Sequence, residues 1–168
     1  MATTTLTGTT GNNLLNAPGS VSTLVQGLAG NDTINLALAT DEAQGGQGAD
    51  TIAIVRAGVL LNTIAGGDGN DTVTVVSAGQ FNGYVNLDAG NDSISINTGA
   101  LLNGANIFGG EGADTIAIQG AITNTTIGAG SGADLLSFTG GAAQSITSSQ
   151  VNGDGVITIS RTPGSGTC

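Results

Sequence analysis

The chain has no histidine, no lysine and no tryptophan. Without histidine or lysine, and with its single cysteine at the last position, Cys168, it lacks a nucleophile–base pair. A non-catalytic protein is therefore expected. Zinc, copper and iron sites are excluded in practice, because no His or Cys cluster exists. One cysteine also rules out an intramolecular disulfide. Only two arginines, Arg56 and Arg161, oppose twelve acidic residues, which leaves a net charge of −10. Nucleic acid needs a basic surface and is not an expected partner. Two prolines against 30 glycines argue against collagen and stiff linkers. Four aromatic residues, Phe81, Tyr84, Phe108 and Phe138, leave a core of small and β-branched side chains. The start, "MATTTLTGTT", has neither a basic nor an apolar signal region, so no N-terminal signal peptide is expected. The run "IAIVRAGVLL" is too short to span a bilayer, so no membrane insertion is expected.

What the chain has is a repeat. Glycine-rich hexamers end at Asp32 (GLAGND), Asp50 (GGQGAD), Asp71 (GGDGND), Asp92 (LDAGND), Asp114 (GGEGAD) and Asp134 (AGSGAD). Asn13 and Gly155 close two further copies in the same register, at intervals of 18 to 22 residues. Glycine stands two positions before every anchor. Two positions after stand Leu15, Ile34, Ile52, Val73, Ile94, Ile116, Leu136 and Ile157. Four after stand Ala17, Leu36, Ile54, Val75, Ile96, Ile118, Phe138 and Ile159. Small and polar residues fill the places between, which is the period-two pattern of a strand with one buried face. A second apolar column, seven before the anchor, runs through Leu6, Val25, Ala43, Ile64, Val85, Ile107 and Ile127.

Each repeat therefore reads as strand, turn, strand, glycine-rich turn. One repeat cannot bury its stripe alone, but stacked repeats can. The prediction is an all-β protein: a single parallel β-solenoid domain over 1–168, of about seven coils of 18–22 residues. Residues 1–7 and 160–168 are expected as terminal caps. A turn carrying Gly58, Gly79, Gly99 and Gly120 with Asn62, Asn82, Asn103 and Asn124 is expected opposite the anchors. Asp41 and Glu42 are the only acids away from the glycine-rich turns, so the second turn should differ there.

Stacking sets the six anchor aspartates in one column. Two unit charges about 5 Å apart repel by roughly 1 kcal/mol in water and about 3 kcal/mol at an effective dielectric of 20. With no lysine and only two arginines, the chain cannot neutralise them itself. Carboxylate and carbonyl oxygens suit Ca²⁺. The segments "GGQGADTIA", "GGDGNDTVT" and "GGEGADTIA" resemble the RTX nonapeptide repeat, G-G-x-G-x-D-x-U-x with U apolar. The resemblance implies an RTX-like β-roll and calcium ions as partners. It assigns the ligand carboxylates to Asp32, Asp50, Asp71, Asp92, Asp114 and Asp134. Main-chain carbonyls of the turns, such as those of Gly46, Gly48, Gly67, Gly69, Gly110 and Gly112, would complete the sites. The motif occurs once per coil here, so calcium is expected on one edge only.

The function expected is that of a calcium-stabilised structural element at a cell surface, in an extracellular matrix or on a virion. Self-assembly or a protein partner, as in a capsid or surface layer, goes with it. Two alternatives stand beside it. One is an ice-binding or adhesive face, suggested by the column Thr33, Thr51, Thr72, Ser93 and Thr115. The other is a metal-free solenoid whose Asp and Asn side chains bond the turn backbone.

Overall fold

The computed structural model describes residues 4–55, 58–76, 79–97, 99–139 and 160–161. The chain winds through β1 (Thr4–Thr7) and β2 (Leu14–Asn16), then β3 (Thr23–Ala29) and β4 (Thr33–Leu36). β5 (Glu42–Gln47) and β6 (Thr51–Val55) make the third coil, and β7 (Thr63–Asp68) and β8 (Thr72–Val76) the fourth. Extra short strands then join the path. β9 (Gln80–Phe81) precedes β10 (Tyr84–Ala89) and β11 (Ser93–Ile96), and β12 (Leu101–Asn103) precedes β13 (Asn106–Glu111) and β14 (Thr115–Ile118). β15 (Ala121–Thr123), β16 (Thr126–Ser131) and β17 (Leu135–Phe138) follow, with β18 (Ser160–Arg161) last. No helix among the described residues is long and apolar enough to cross a membrane.

Every strand pair is parallel and joins one coil to the next, as in β1-β3-β5-β7-β10-β13-β16 for the first sheet. From β1 to β16 the chain makes about six full turns of an all-β parallel solenoid, close to the expected seven coils. The apolar columns superimpose residue for residue. In the first sheet Leu6, Val25, Ala43, Ile64, Val85, Ile107 and Ile127 pair in sequence. In the second sheet Leu15, Ile34, Ile52, Val73, Ile94, Ile116 and Leu136 do the same. A one-residue slip would turn each whole column to solvent, so burial of isoleucine and valine locks the register. Ile34, Ile52, Ile64, Ile94 and Ile107 are completely buried. Each contributes about 1.5–3 kcal/mol by leaving water.

A third sheet, β9-β12-β15, was not foreseen. It forms in coils of 20 to 22 residues, which have more chain to place than the 18-residue coil between Asp32 and Asp50. Its inward residues Phe81 and Leu102 are completely buried, and Leu60 bridges to Phe81 from the preceding coil. On the outer face of the second sheet the Thr33, Thr51, Thr72, Ser93 and Thr115 column pairs in register, flanked by Leu14 and Leu135.

The two ends depart from simple expectation. Residues 4–7 of the expected N-terminal cap form the edge strand β1. Beyond Phe138 the repeat predicts Ile159 opposite that residue, whereas Arg161 pairs with it, two positions out of register. No aspartate marks the anchor position there, since Gly155 takes its place. Asp154, Gly155 and Ile157, and most of the expected cap 160–168, lie outside the described residues.

Four positions before the anchor the backbone is left-handed: Gly46, Gly67, Gly110 and Gly130 have φ between 107° and 119°. Leu28 and Asp88 occupy this place in their coils, with φ of 83° and 67°. A side chain with a Cβ costs about 1–2 kcal/mol in that region. Leu28 is half-exposed, so little burial offsets the strain. Leu28→Gly should raise stability by about 0.5–1 kcal/mol, after the extra freedom of glycine in the unfolded chain is counted. Thermal denaturation checks this, and an unchanged or lower midpoint would show that Leu28 is unstrained.

Candidate metal centre

The six anchor aspartates fall at the end of the turn that joins the first sheet to the second. All six are buried, Asp32, Asp50, Asp71 and Asp114 to a residual exposure of 1%. The structure thus brings all six predicted carboxylates into one internal column. Each holds its neighbour in the stack. The Asp50 Oδ1 accepts the Asp32 backbone N–H at 2.7 Å, and the Asp71 Oδ1 that of Asp50 at 2.8 Å. Asp92, Asp114 and Asp134 serve Asp71, Asp92 and Asp114 at 2.7, 2.9 and 2.9 Å. At the amino end the Asp32 Oδ1 takes the Asn13 N–H at 2.7 Å. Asn13 turns its own Oδ1 back to the Thr9 N–H at 2.5 Å, so the ladder closes on an uncharged amide.

Only half of each carboxylate is used in this way. The Oδ2 atoms of all six aspartates are buried and accept no hydrogen bond. Asp41 provides the contrast. It too is wholly buried, but its Oδ1 accepts from Thr23 at 2.9 Å. Its Oδ2 accepts from Ala37 and Leu38 at 3.0 and 2.7 Å. Above it Asn62 donates Nδ2 to the Leu38 and Asp41 carbonyls at 3.0 and 2.8 Å. Where this chain buries an aspartate as a strut, both oxygens are satisfied. Burying polar atoms without partners costs about 1–3 kcal/mol each, more when charged. The column leaves six such atoms.

Glycine makes room for them. A Cβ on Gly27 would clash with the Asp32 Oδ2 and the Gly45 carbonyl oxygen. On Gly45 it would meet the Asp50 Oδ2 and the Gly66 carbonyl, and on Gly109 the Asp114 Oδ2 and the Ala129 carbonyl. On Gly66 it would lie near the Asp71 Oδ2 and 2.7 Å from the Leu87 carbonyl. These glycines stand five before the anchor, where the sequence shows them only as the first residue of a hexamer. The turn carbonyls that the resemblance names have other neighbours. Those of Gly46 and Gly48 lie against the α-carbons of Gly67 and Gly69 in the next coil. Those of Gly69, Gly110 and Gly112 lie against Gly90, Gly130 and Gly132. Gly67 pairs with Asp88.

A second ladder runs one residue earlier and in the opposite sense. Asn12 Oδ1 accepts from Asn31, Asn31 from Ala49, Asn70 from Asn91 and Asn91 from Ala113, all at 2.8–2.9 Å. Recurrent Asn before Asp was the signal that could have found it.

Burial shapes the titration of the column. Desolvation pushes Asp71 up to about 7, the N–H it accepts opposes this, and Asp50, Asp92 and Asp88 add repulsion. Asp92 is pushed up to about 6, again chiefly by burial, with Asp114 and Asp88 adding to it. Asp50 and Asp114 are raised for the same reasons. No group of three or more acidic, His or Cys side chains converges among the described residues. An ion in the column would therefore draw on one or two carboxylates and complete its shell from main-chain carbonyls. Hard oxygen donors of that kind suit calcium.

The fold and this column define a class: a parallel β-solenoid whose glycine-rich turns carry stacked, half-satisfied carboxylates. The RTX calcium-binding nonapeptide repeat matches the chain in four copies, over residues 22–52, 62–74 and 106–117. Those segments are similar to RTX calcium-binding repeats. No curated protein and no solved structure matches it.

A raised carboxylate pKa means that the folded state holds protons which the unfolded chain, at about 3.8, has released. Stability without metal then falls as pH rises from about 4 to about 7. In chelator the melting temperature at pH 5 should exceed that at pH 7.5. The opposite order in a calorimetric series would contradict half-satisfied, desolvated carboxylates.

Proposed function

We propose that this is a non-catalytic, calcium-stabilised structural solenoid that serves as a rigid surface or assembly element. Calcium is held along one edge by the Asp32, Asp50, Asp71, Asp92, Asp114 and Asp134 carboxylates with carbonyls of the turns. The observation that carries this reading is the row of six buried, unpartnered Oδ2 atoms, set beside a fully bonded Asp41. A divalent cation removes both the repulsion and the missing contacts. The match to calcium-binding repeats supports it. The setting that suits it is extracellular, on a cell surface or a virion. Extracellular calcium modules work at free calcium of about 10⁻⁴–10⁻³ M. Partners are calcium and either further copies or another protein of a capsid or surface layer.

The metal-free alternative has one observation in its favour, the Oδ1 ladder, which binds coil to coil without an ion. Circular dichroism separates the two. Calcium titrated into chelated protein should raise the β signal or the melting temperature by well over 10 °C. Identical spectra and melting in chelator and calcium would leave the solenoid and remove the metal.

Two variants localise the effect. Asp71→Asn keeps an oxygen for the Asp50 N–H but loses the charge. It should stabilise the chelated protein and weaken calcium affinity about tenfold, as charge count sets affinity. Asp41→Ala removes the acceptor of three N–H groups and should destabilise by about 3 kcal/mol, equally with and without calcium. A calcium dependence that changes in Asp41→Ala and not in Asp71→Asn would place the metal on the wrong edge.

A further inference from the structure

The glycine that floors the carboxylate column is present in some coils and absent in others. Gly27, Gly45, Gly66 and Gly109 each leave the place of a Cβ to an Oδ2 of their own coil and a carbonyl of the next. The coil of Asp92 breaks this rule. Its sequence is "LDAGND", and Leu87 stands five before the anchor. Asn86 and Asp88 pair with Ala65 and Gly67 on one side, which sets Leu87 opposite Gly66. Pairing of Asn86 with Phe108 on the other side sets it opposite Gly109. The Leu87 side chain is completely buried and belongs to the hydrophobic core. In this coil an isobutyl group therefore occupies the inner position that the coils on both sides leave to oxygen. The next residue, Asp88, replaces the second glycine of the motif and takes the left-handed backbone in its stead.

We propose that the column is loaded discontinuously: cations enter the glycine-floored coils of Asp32, Asp50, Asp71 and Asp114, and Leu87 excludes one from the coil of Asp92. This rests on the calcium reading above and narrows it: Asp92, named there with the other five, then serves the ladder alone, and Ala129 in place of the glycine sets the coil of Asp134 apart as well. Asp92 keeps its role in the ladder, since its Oδ1 holds the Asp71 N–H. Where the glycines of other coils leave room for an Oδ2, this coil carries a buried hydrocarbon side chain. Three adjacent sites are thereby separated from a single one by an apolar partition. A cation needs six or more oxygens at close range, and a leucine offers none while keeping water out. The partition makes the middle of the stack cohere by apolar burial, where the flanking coils rely on the ion. Leu87, Val85 and Phe81 are all completely buried at this level. The four copies matched by the nonapeptide repeat fall on the four glycine-floored coils and skip the coil of Leu87.

The test is a count. Full-length protein, Leu87→Gly and Gly109→Ala are each dialysed against calcium chloride and analysed for calcium per chain. Leu87→Gly should take up one ion more than the unaltered protein, and Gly109→Ala one ion fewer. Terbium luminescence titrations of the same proteins should change in the same sense. If the unaltered protein and Leu87→Gly bind equal numbers, the partition is overturned and the calcium reading stands. If the unaltered protein binds none, both are overturned. Gly109→Ala adds only a methyl group and keeps Leu87 in the core, so it decides the rule should Leu87→Gly fail to fold. A count unchanged in Gly109→Ala would show that the glycine floor does not select the coils.

Discussion

Six carboxylates stacked one coil apart inside a protein with no lysine and two arginines are the constraint on which the rest of this structure depends. A parallel solenoid repeats whatever it places at an edge, so a favourable residue is favourable in every coil and a charge is repelled in every coil. The fold meets part of the difficulty itself. Each Oδ1 accepts a backbone N–H from the coil below, which both orients the carboxylate and ties the turns together. The remaining oxygens are left unpartnered, and burial raises the pKa of Asp50, Asp71, Asp92 and Asp114. The electrostatics of the edge and the stability of the whole stack are one question.

Opposite demands shape the other two edges of the coil. Between the sheets, β-branched side chains superimpose and need nothing but their own kind. At the start of the first sheet Asp41 and Asn62 form a strut with both Asp41 oxygens in use. The same chain thus builds a buried aspartate in two ways. The difference lies in what surrounds it: a tight turn that supplies two N–H donors to the second oxygen, or a glycine floor that supplies none. Glycine at that floor does more than allow an unusual backbone. It removes the one atom that would keep a carboxylate and a carbonyl oxygen apart.

Much of this was legible in the sequence. The apolar columns at fixed distances from each aspartate gave the two long sheets and their register, because a solenoid converts sequence period directly into spatial neighbours. The stacking of Asp32, Asp50, Asp71, Asp92, Asp114 and Asp134 in one column followed from the same period, but their burial did not. The third sheet was missed although Leu60, Phe81 and Leu102 each stand ten residues after an anchor. Only three consecutive coils carry that column, and coil lengths vary around it. Which atom of a carboxylate bonds and which does not has no sequence signature, since both oxygens belong to one residue. The Asn12, Asn31, Asn70 and Asn91 ladder was hidden for a different reason. Each amide serves the coil after it, so the pattern shows as an Asn whose partner position is indifferent to side chain.

The central claim is that a cation and a set of protons compete for the same buried oxygens. Calcium added to chelated protein at pH 6.5 should therefore release protons, because the Asp71 carboxyl, pushed up to about 7, holds one near that pH in the metal-free fold. Titration calorimetry in two buffers of different ionisation enthalpy measures that number directly. The account predicts clear proton release at pH 6.5 that fades by pH 8.5. Calcium binding with no proton release at either pH would place the ion elsewhere on the molecule and contradict it.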